Sequence, residues 1–267
     1  MTPEREPLGT VLVIVPTYNE SMNIASIVGR LRTANPDVHV LVADDNSPDG
    51  TGDIADGMAA ADDHIHVLHR KGKEGLAAAY VAGFRWGIDH GYGVLVEHDA
   101  DGSHQPEQLP RLLEALKNAD MVKGSRYVKG GSVVNWPKSR ELLSRGGNIW
   151  SQLMLGSSIK DLTGGYNAHR VSMMKVIIDK LESAGYAFQV NLAWQALQNG
   201  FTVVEVPIEF IEREQGASKM SRRIVFEALG LTTKWGINHR IDQVKGLFGK
   251  GSKQAVDGSE HGDTAKG

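Results

Sequence analysis

The sequence predicts an α/β fold: a mostly parallel sheet flanked by helices on both faces, closed as a single domain. Three observations predict it. Strand-like and helix-like segments alternate from Thr10 to Val96, and that alternation marks the crossover units from which parallel sheets are built. The strand-like segments are continuous apolar runs, as expected where a sheet is covered on both faces. Three of these runs end in polar, acid-rich segments, and in open parallel sheets ligands gather at the carboxyl ends of the strands.

Each element follows from its local pattern. After a polar leader (residues 1–9), Thr10 to Val15 is a largely β-branched run that Pro16 is expected to end. Asn19 or Ser21 then offers a cap for a helix whose apolar residues Ile24, Ile27, Val28 and Leu31 recur at helical spacing until Asn35-Pro36. Val38 to Ala43 is a second buried strand, Asp53 to Ala61 a short helix, Ile65 to Leu68 a third strand, and Gly75 to His90 another helix. Gly93 to Val96 is the fourth strand. Pro106 to Ala119 reads as helix and Met121 to Gly124 as strand, with Ser125-Arg126-Tyr127 at its exit. A Gly-rich loop with Trp136 leads into a helical pattern at 138–155. Helices near 171–181 and 188–199 and a strand at Thr202 to Val206 follow. Residues 218–247 read as a basic helix, with Lys219, Arg222, Arg223, Lys234 and Arg240. The domain is expected over 10–247, and the Gly-, Ser-, Lys- and Asp-rich stretch 248–267 as a disordered tail.

Composition narrows the function classes. A chain of 267 residues with 41% hydrophobic and 23% charged residues is an ordinary globular protein with enough length for a sizeable core. The net charge of -3 says little about partners, and no nucleic acid is expected among them. The absence of cysteine excludes disulfides, thiolate metal sites and cysteine nucleophiles. No apolar stretch approaches the roughly 20 residues of a spanning helix, and Glu4, Arg5 and Glu6 exclude a signal-peptide core. Ser-His-Asp order, P-loop, zinc spacing and dinucleotide Gly fingerprint are all missing; His64, His66 and His69 lie on or near a strand.

The chemistry-bearing residues cluster at strand ends. Asp99 and Asp101 follow the fourth strand in Glu-His-Asp-Ala-Asp-Gly-Ser-His. Alternate residues of an extended segment point the same way, so both carboxylates can converge on one point. Acids so placed repel unless a cation lies between them, and Mg²⁺ or Mn²⁺, held by one or two carboxylates plus substrate phosphates, suits the gap. The second strand ends in Asp44-Asp45-Asn46-Ser47-Pro48-Asp49-Gly50-Thr51. Its first half matches a calcium loop, but the twelfth position would be Asp56 and a strand enters the loop. Asp44 or Asp45 is better suited to accept hydrogen bonds from a base or ribose, while Asp49 equally suits a turn that caps the next helix. A metal-bound diphosphate needs basic partners, and Arg126, Arg140, Arg213 and Lys219 are the candidates. Around 136–155, Lys138, Arg140 and Arg145 accompany Trp136 and Trp150, a mixture found both in cores and in helices lying at a bilayer surface.

Taken in order, Val-Pro-Thr-Tyr-Asn-Glu (15–20), Asp-Asp-Asn-Ser-Pro-Asp-Gly-Thr (44–51), Asp-Ala-Asp-Gly-Ser-His-Gln-Pro-Glu (99–107) and Gly-Ser-Arg-Tyr-Val-Lys-Gly-Gly (124–131) resemble the inverting GT-A glycosyltransferases of family 2. Within that family they look like dolichol- or polyprenol-phosphate mannose synthases, the actinobacterial ones most of all, from about residue 11 to 225. The resemblance implies a GT-A fold and transfer of mannose from GDP-mannose to polyprenyl phosphate, giving a β-mannosyl phospholipid and GDP. By the same resemblance Pro16, Tyr18, Glu20 and Asp45 line the nucleotide pocket, and Asp99 and Asp101 hold the Mg²⁺ or Mn²⁺. Family members carry Gln or Ser at the position of Ser103, a possible third ligand that water can replace. Arg126, Arg140 and Ser144 resemble residues that grip the acceptor phosphate. Arg213 and Lys219 match a pair that closes over the donor and acceptor phosphates. Some relatives continue into transmembrane helices, whereas this chain runs into its polar tail. The expectation is therefore a cytoplasmic protein, peripheral on the cytoplasmic face of the plasma membrane, that docks through 136–155 and 218–247, with a membrane-integral partner as a possible further anchor. Three rivals share the same fold: a synthase using UDP-glucose with the same lipid, a non-catalytic nucleotide-binding scaffold, and a polysaccharide transferase recruiting Glu97 or Asp161 as base.

Overall fold

The computed structural model of the chain describes residues 5–182, 185–212, 228–241 and 245. The elements are β1 (Val11–Thr17), α1 (Ile24–Ala34), β2 (His39–Asp44), α2 (Thr51–Ala61), β3 (Ile65–His69), α3 (Leu76–Asp89), β4 (Val94–Glu97) and α4 (Leu109–Leu116). They continue with β5 (Met121–Ser125), β6 (Ser132–Val134), α5 (Lys138–Leu155), β7 (Asn167–Arg170), α6 (Val171–Ile177), α7 (Phe188–Gln198), β8 (Val203–Pro207) and β9 (Glu209–Ile211). Residues 228–241 are helical. The rest of the basic segment expected at 218–247, and the tail after it, lie outside the described residues apart from position 245.

The main sheet has seven strands in the order β3-β2-β1-β4-β7-β5-β8, and β6 pairs with β9 separately. Its pairings are parallel except the two made by β7. Strands β1, β2 and β4 are buried along nearly their whole length, as their continuous apolar runs require. Helix α3 lies very close on the sheet, because a Cβ on Gly83 would stand 2.5 Å from Ile14 Cγ2 and one on Gly87 2.4 Å from Leu95 Cδ2.

Several local expectations change. Pro16 does not end β1; the strand continues to Thr17 in register with β2. The carbonyl of Ile14 faces β4, accepting from the His98 N–H at 3.1 Å. Pro16 lies two residues on, along the same edge, where β4 has ended, so its missing donor breaks no ladder bond. Neither Asn19 nor Ser21 caps α1, which starts at Ile24 without a side-chain cap. Asn19 instead takes a left-handed φ of 60°. The end of the polar leader is tied to the domain: Arg5 pairs with Asp120, and the Glu6 carbonyl accepts from Arg170 at 2.7 Å.

Strand β7 has no apolar run to mark it in the sequence, because three of its four residues are polar. Their partners are what bury them. Asn167 stands in register with Glu97 on one side and Lys123 on the other, all fully buried. Lys123 Nζ donates to Asn167 Oδ1 (2.9 Å) and the Gly164 carbonyl (3.1 Å), and His169 meets Glu97 at 2.8 Å. Burial pulls the Lys123 ammonium from 10.5 down to about 8, against the raising effect of Glu97 and Asp161. The folded chain therefore holds this proton less tightly than the unfolded chain, and stability from the site rises as pH climbs from about 8 toward 10.5. Urea unfolding at about pH 8 and about pH 9.5 should show wild type gaining on Lys123→Met by roughly 1 kcal/mol per pH unit. Parallel shifts in the two proteins would remove this assignment.

Candidate active site

The carboxyl ends of β1, β2 and β4 open into one cleft of about 520 Å³. Pro16 enters it from the end of β1, Tyr18 and Glu20 from the loop after β1, and Asp45 from that after β2. Asp99, Asp101 and Ser103 come from the loop after β4, Arg126 from that after β5, and Arg140 and Ser144 from α5. The site residues that the family resemblance assigns within the described residues thus line one cleft. Arg213 and Lys219 fall outside them.

The loops after β1 and β2 are stitched together. The N–H groups of Asn19, Glu20 and Ser21 donate to Ser47 Oγ (3.1 Å), Thr51 Oγ1 (3.0 Å) and Asp49 Oδ2 (3.1 Å). Burial would raise the Asp49 carboxyl, but hydrogen bonds from Thr51 and Ser21 outweigh it and hold it at about 2. Asp49 is therefore a loop-building residue, although Gly50 occupies the N-cap of α2. Asp44 likewise turns inward, accepting from Thr17 Oγ1 (2.9 Å) and Ser47 Oγ (2.6 Å). Of the two adjacent acids, Asp45 is the one that lines the cleft. Burial pushes its carboxyl up while an ion pair with Arg70 opposes that rise. Arg70 and Lys73, the latter 4.0 Å above the Tyr18 ring, belong to the basic Arg-Lys-Gly-Lys run after β3. That run at a fourth strand end is a signal sequence reasoning passed over.

Asp99 and Asp101 are held differently. Asp99 Oδ1 accepts from the Tyr80 hydroxyl at 2.8 Å, and Tyr80 is fully buried with its ring stacked on Phe188. His104 lies 3.8 Å from the other Asp99 oxygen, and burial lowers its pKa well below the usual imidazole range, so it stands there neutral at pH 7. Asp101 Oδ1 accepts the Ser103 N–H at 3.0 Å across a turn in which Gly102 has φ +77°. Among the described residues no three His, Cys, Asp or Glu converge as a ligand set. A purely carboxylate donor pair at the rim of an open cleft fits a hard divalent cation whose other ligands are substrate oxygens and water.

The opposite wall is cationic and aromatic. Arg126 makes a buried fork onto Asp161, with Nε and Nη2 each 2.7 Å from its oxygens, and Nη2 also donates to Thr163 Oγ1 at 2.9 Å. Arg140 pairs with Glu212, and its guanidinium lies 4.3 Å above the Trp136 ring. Trp136 also packs edge-on against Phe210 at 5.3 Å and forms part of the cleft wall. Ser144 Oγ accepts from the Tyr127 hydroxyl at 2.7 Å. With that lone pair taken, the Ser144 proton remains to be donated elsewhere. Glu97 and Asp161 are both fully buried and committed to protein partners, Glu97 to His169 and Gln189, and Asp161 to Arg126. Neither lines the cleft, so the two residues that the polysaccharide reading would recruit as base lie outside it.

Residues 12–178 match the family model described as Glycosyl transferase family 2. An undecaprenyl-phosphate mannosyltransferase of Micrococcus luteus is 54% identical over 240 residues, covering 90% of this chain and 99% of that protein. A polyprenol monophosphomannose synthase of Mycolicibacterium smegmatis is 53% identical over 244 residues, covering 90% and 92%. Among solved structures, glucosyl-3-phosphoglycerate synthase from Mycobacterium tuberculosis, in complex with Mn²⁺, UDP-glucose and phosphoglyceric acid, superposes with a TM-score of 0.61 at 18% identity over 84% of this chain and 80% of that one. Mannosyl-3-phosphoglycerate synthase from Rubrobacter xylanophilus gives 0.60 at 16% identity over 84% and 73%. At such identities the two structures speak for the fold alone, which is GT-A.

Proposed function

From the premise that this chain belongs to glycosyl transferase family 2, and is therefore a glycosyltransferase, we propose that it transfers mannose from GDP-mannose to a polyprenyl phosphate. The products are polyprenyl phosphate β-mannose and GDP, the anomeric centre inverts, and the reaction depends on Mg²⁺ or Mn²⁺. The observation that carries this reading is the convergence of acids and arginines from separate loops and from α5 on one cleft, in a chain 54% identical to a protein named for mannosyl transfer to undecaprenyl phosphate.

The chemistry asks for little beyond placement. A phosphate acceptor is already anionic at neutral pH, so no general base is required, in keeping with a cleft that Glu97 and Asp161 do not reach. The task is to hold two anions together in line. Asp99 and Asp101 would hold the metal ion, which supplies Lewis-acid stabilisation to the departing nucleoside diphosphate. Pro16, Tyr18, Glu20 and Asp45 would seat the nucleotide. Arg126, Arg140 and Ser144 would grip the acceptor phosphate, with Arg213 and Lys219 closing on both substrates. Such fixed donors act by positioning and electrostatics. An acceptor of this kind brings the enzyme to a membrane, and we place it peripherally on the cytoplasmic face of the plasma membrane. No helix among the described residues is long and apolar enough to cross one.

Tyr127→Phe tests the acceptor side without removing a charge. Loss of the bond that orients Ser144 should raise KM for polyprenyl phosphate by about tenfold, with KM for GDP-mannose unchanged. Equal changes in both would take Ser144 out of the acceptor site. The reaction itself is tested by incubating labelled GDP-mannose or UDP-glucose with detergent-solubilised polyprenyl phosphate and Mg²⁺ or Mn²⁺. Organic-phase label from GDP-mannose that vanishes with chelator is the expected result. Label only from UDP-glucose would establish the glucosyl rival, and none from either would leave the scaffold.

A further inference from the structure

The small sheet of β6 and β9 stands at the cleft, bonded to both of its sides. Strand β9 pairs in parallel with β6, with Ser132 opposite Glu209, Val133 opposite Phe210 and Val134 opposite Ile211. Just past β9, the Glu212 N–H donates to the Val134 carbonyl at 3.0 Å. The other edge of β9 is occupied too. The Ile211 N–H donates to the Ser103 carbonyl at 3.1 Å, and Phe210 forms an antiparallel bridge with His104. Three residues thus join the segment that leads into Trp136 and α5 to the loop that carries Asp99 and Asp101.

The Phe210 ring repeats that bridge at the level of side chains. It meets the His104 imidazole edge-on at 5.4 Å and the Trp136 indole edge-on at 5.3 Å, and Arg126 Cζ stands 5.6 Å from its centroid. His104 in turn accepts the Asp99 N–H at 3.3 Å. Trp136 carries the Arg140 guanidinium at 4.3 Å and that of Arg126 at 5.3 Å. A continuous run of contacts therefore leads from Asp99 to both arginines, with one phenyl ring at its middle. Phe210 belongs to neither of the two apolar clusters that build the core, although it lines the cleft. It brings no hydrogen-bonding side chain to a ligand. An aromatic residue outside the core, packed on an imidazole, an indole and a guanidinium of the cleft, serves their geometry.

We propose that Phe210 is a positioning residue for the transfer, the wedge that sets the arginine wall against the carboxylate loop. The inference rests on the reading given above, in which one side of the cleft seats the donor diphosphate and the other the acceptor phosphate. Those sides hang on loops far apart in the sequence, and in-line attack tolerates little play between them; productive sites hold their groups to within roughly 0.5 Å. Edge-to-face rings pack with a defined geometry, and a phenyl side chain has few torsions to lose, so the wedge is stiff. Removing it leaves each side's own anchors in place: Asp99 keeps its bond from Tyr80 at 2.8 Å, and Arg126 keeps its fork onto Asp161. What loosens is the placement of one side against the other.

The full chain is compared with Phe210→Ala and Phe210→Leu, the second of which keeps most of the volume and answers for any loss of folding in the first. The probes are labelled GDP-mannose, Mn²⁺ and a short, water-soluble polyprenyl phosphate. Transfer kcat should fall by about 100-fold in Phe210→Ala and about tenfold in Phe210→Leu, the scale expected when a reacting group is misplaced by about 1 Å. KM for GDP-mannose should stay within about twofold of wild type, because the donor side is intact. Calorimetry with GDP and Mn²⁺ in the absence of acceptor should likewise give unchanged affinity, a readout that needs no turnover. Transfer by Phe210→Ala within about threefold of wild type overturns the proposal. So does a loss of GDP affinity or of melting temperature in step with transfer in both variants, which would make Phe210 a residue of the fold. Wild type that transfers no mannose to the acceptor counts instead against the reaction itself, and the proposal falls with it.

Discussion

Asp101→Ala should lower transfer from GDP-mannose by about 10³-fold, corresponding to ~4 kcal/mol of lost transition-state stabilisation, with the fold intact. The carboxylate sits at the cleft in a turn closed by the Ser103 N–H at 3.0 Å and by Gly102 at φ +77°. Losing one acceptor there frees an N–H that lies beside an open cleft, so thermal unfolding should move little. What disappears is half of the carboxylate pair proposed to hold the metal ion. Asp99 remains, oriented by Tyr80, but one carboxylate does not counter the charge of a diphosphate-bound divalent ion as well as two. Higher Mn²⁺ should recover part of the activity, since the defect is one of affinity as well as of electrostatics. Organic-phase label within tenfold of wild type, at low metal, would sink the metal assignment. A melting temperature lowered in step with activity would mean that Asp101 is structural.

Arg126→Leu should damage both stability and activity, and the two can be separated. Arg126 and Asp161 are 8% and 0% exposed, and the carboxylate also accepts the Arg126 backbone N–H at 2.9 Å. The two members shift in opposite directions. Burial alone would raise the Asp161 carboxyl, yet the Arg126 guanidinium holds it below the usual range; burial would lower Arg126, yet Asp161 raises it. Removing the arginine strands a buried charge, and breaking such a pair costs about 3–5 kcal/mol. Urea unfolding should register that loss. Arg126→Leu/Asp161→Leu should regain much of it, because replacing both charges removes the unpaired one. Transfer should stay at least about 100-fold down in the double variant, since a cation facing the cleft is absent in both. If the double variant recovers activity with stability, Arg126 serves the fold alone and the acceptor phosphate is held elsewhere.

Legibility in the sequence tracks how local the determining physics is. Strands β1, β2 and β4 were readable because burial on both faces writes an uninterrupted apolar run, and α1 because Ile24, Ile27, Val28 and Leu31 repeat at helical spacing. The acids of the strand-end loops were readable for a related reason: the carboxyl end of a parallel strand fixes where its loop must open. Strand β7 was not readable. Asn167, His169 and Arg170 are buried because Glu97, Lys123 and the carbonyls of Leu116 and Ala119 come to meet them from distant positions. The small sheet of β6 and β9 was missed as well; three residues in each strand are too few to show a period.

The sequence by itself determined the α/β class, the parallel core, the loaded strand ends and the acids and arginines worth naming, all properties of single segments. Only the tertiary structure decided among neighbours of the same type. It put Asp45 in the cleft and folded Asp44 back onto Thr17 and Ser47. It turned Trp136 to the cleft wall and left Trp150 partly exposed beside 228–241. It locked Arg126 onto Asp161, 35 residues away. Adjacent residues of one chemical type have the same local propensity. What separates them is which long-range partner satisfies each buried polar group, and those partners exist only once the chain has folded.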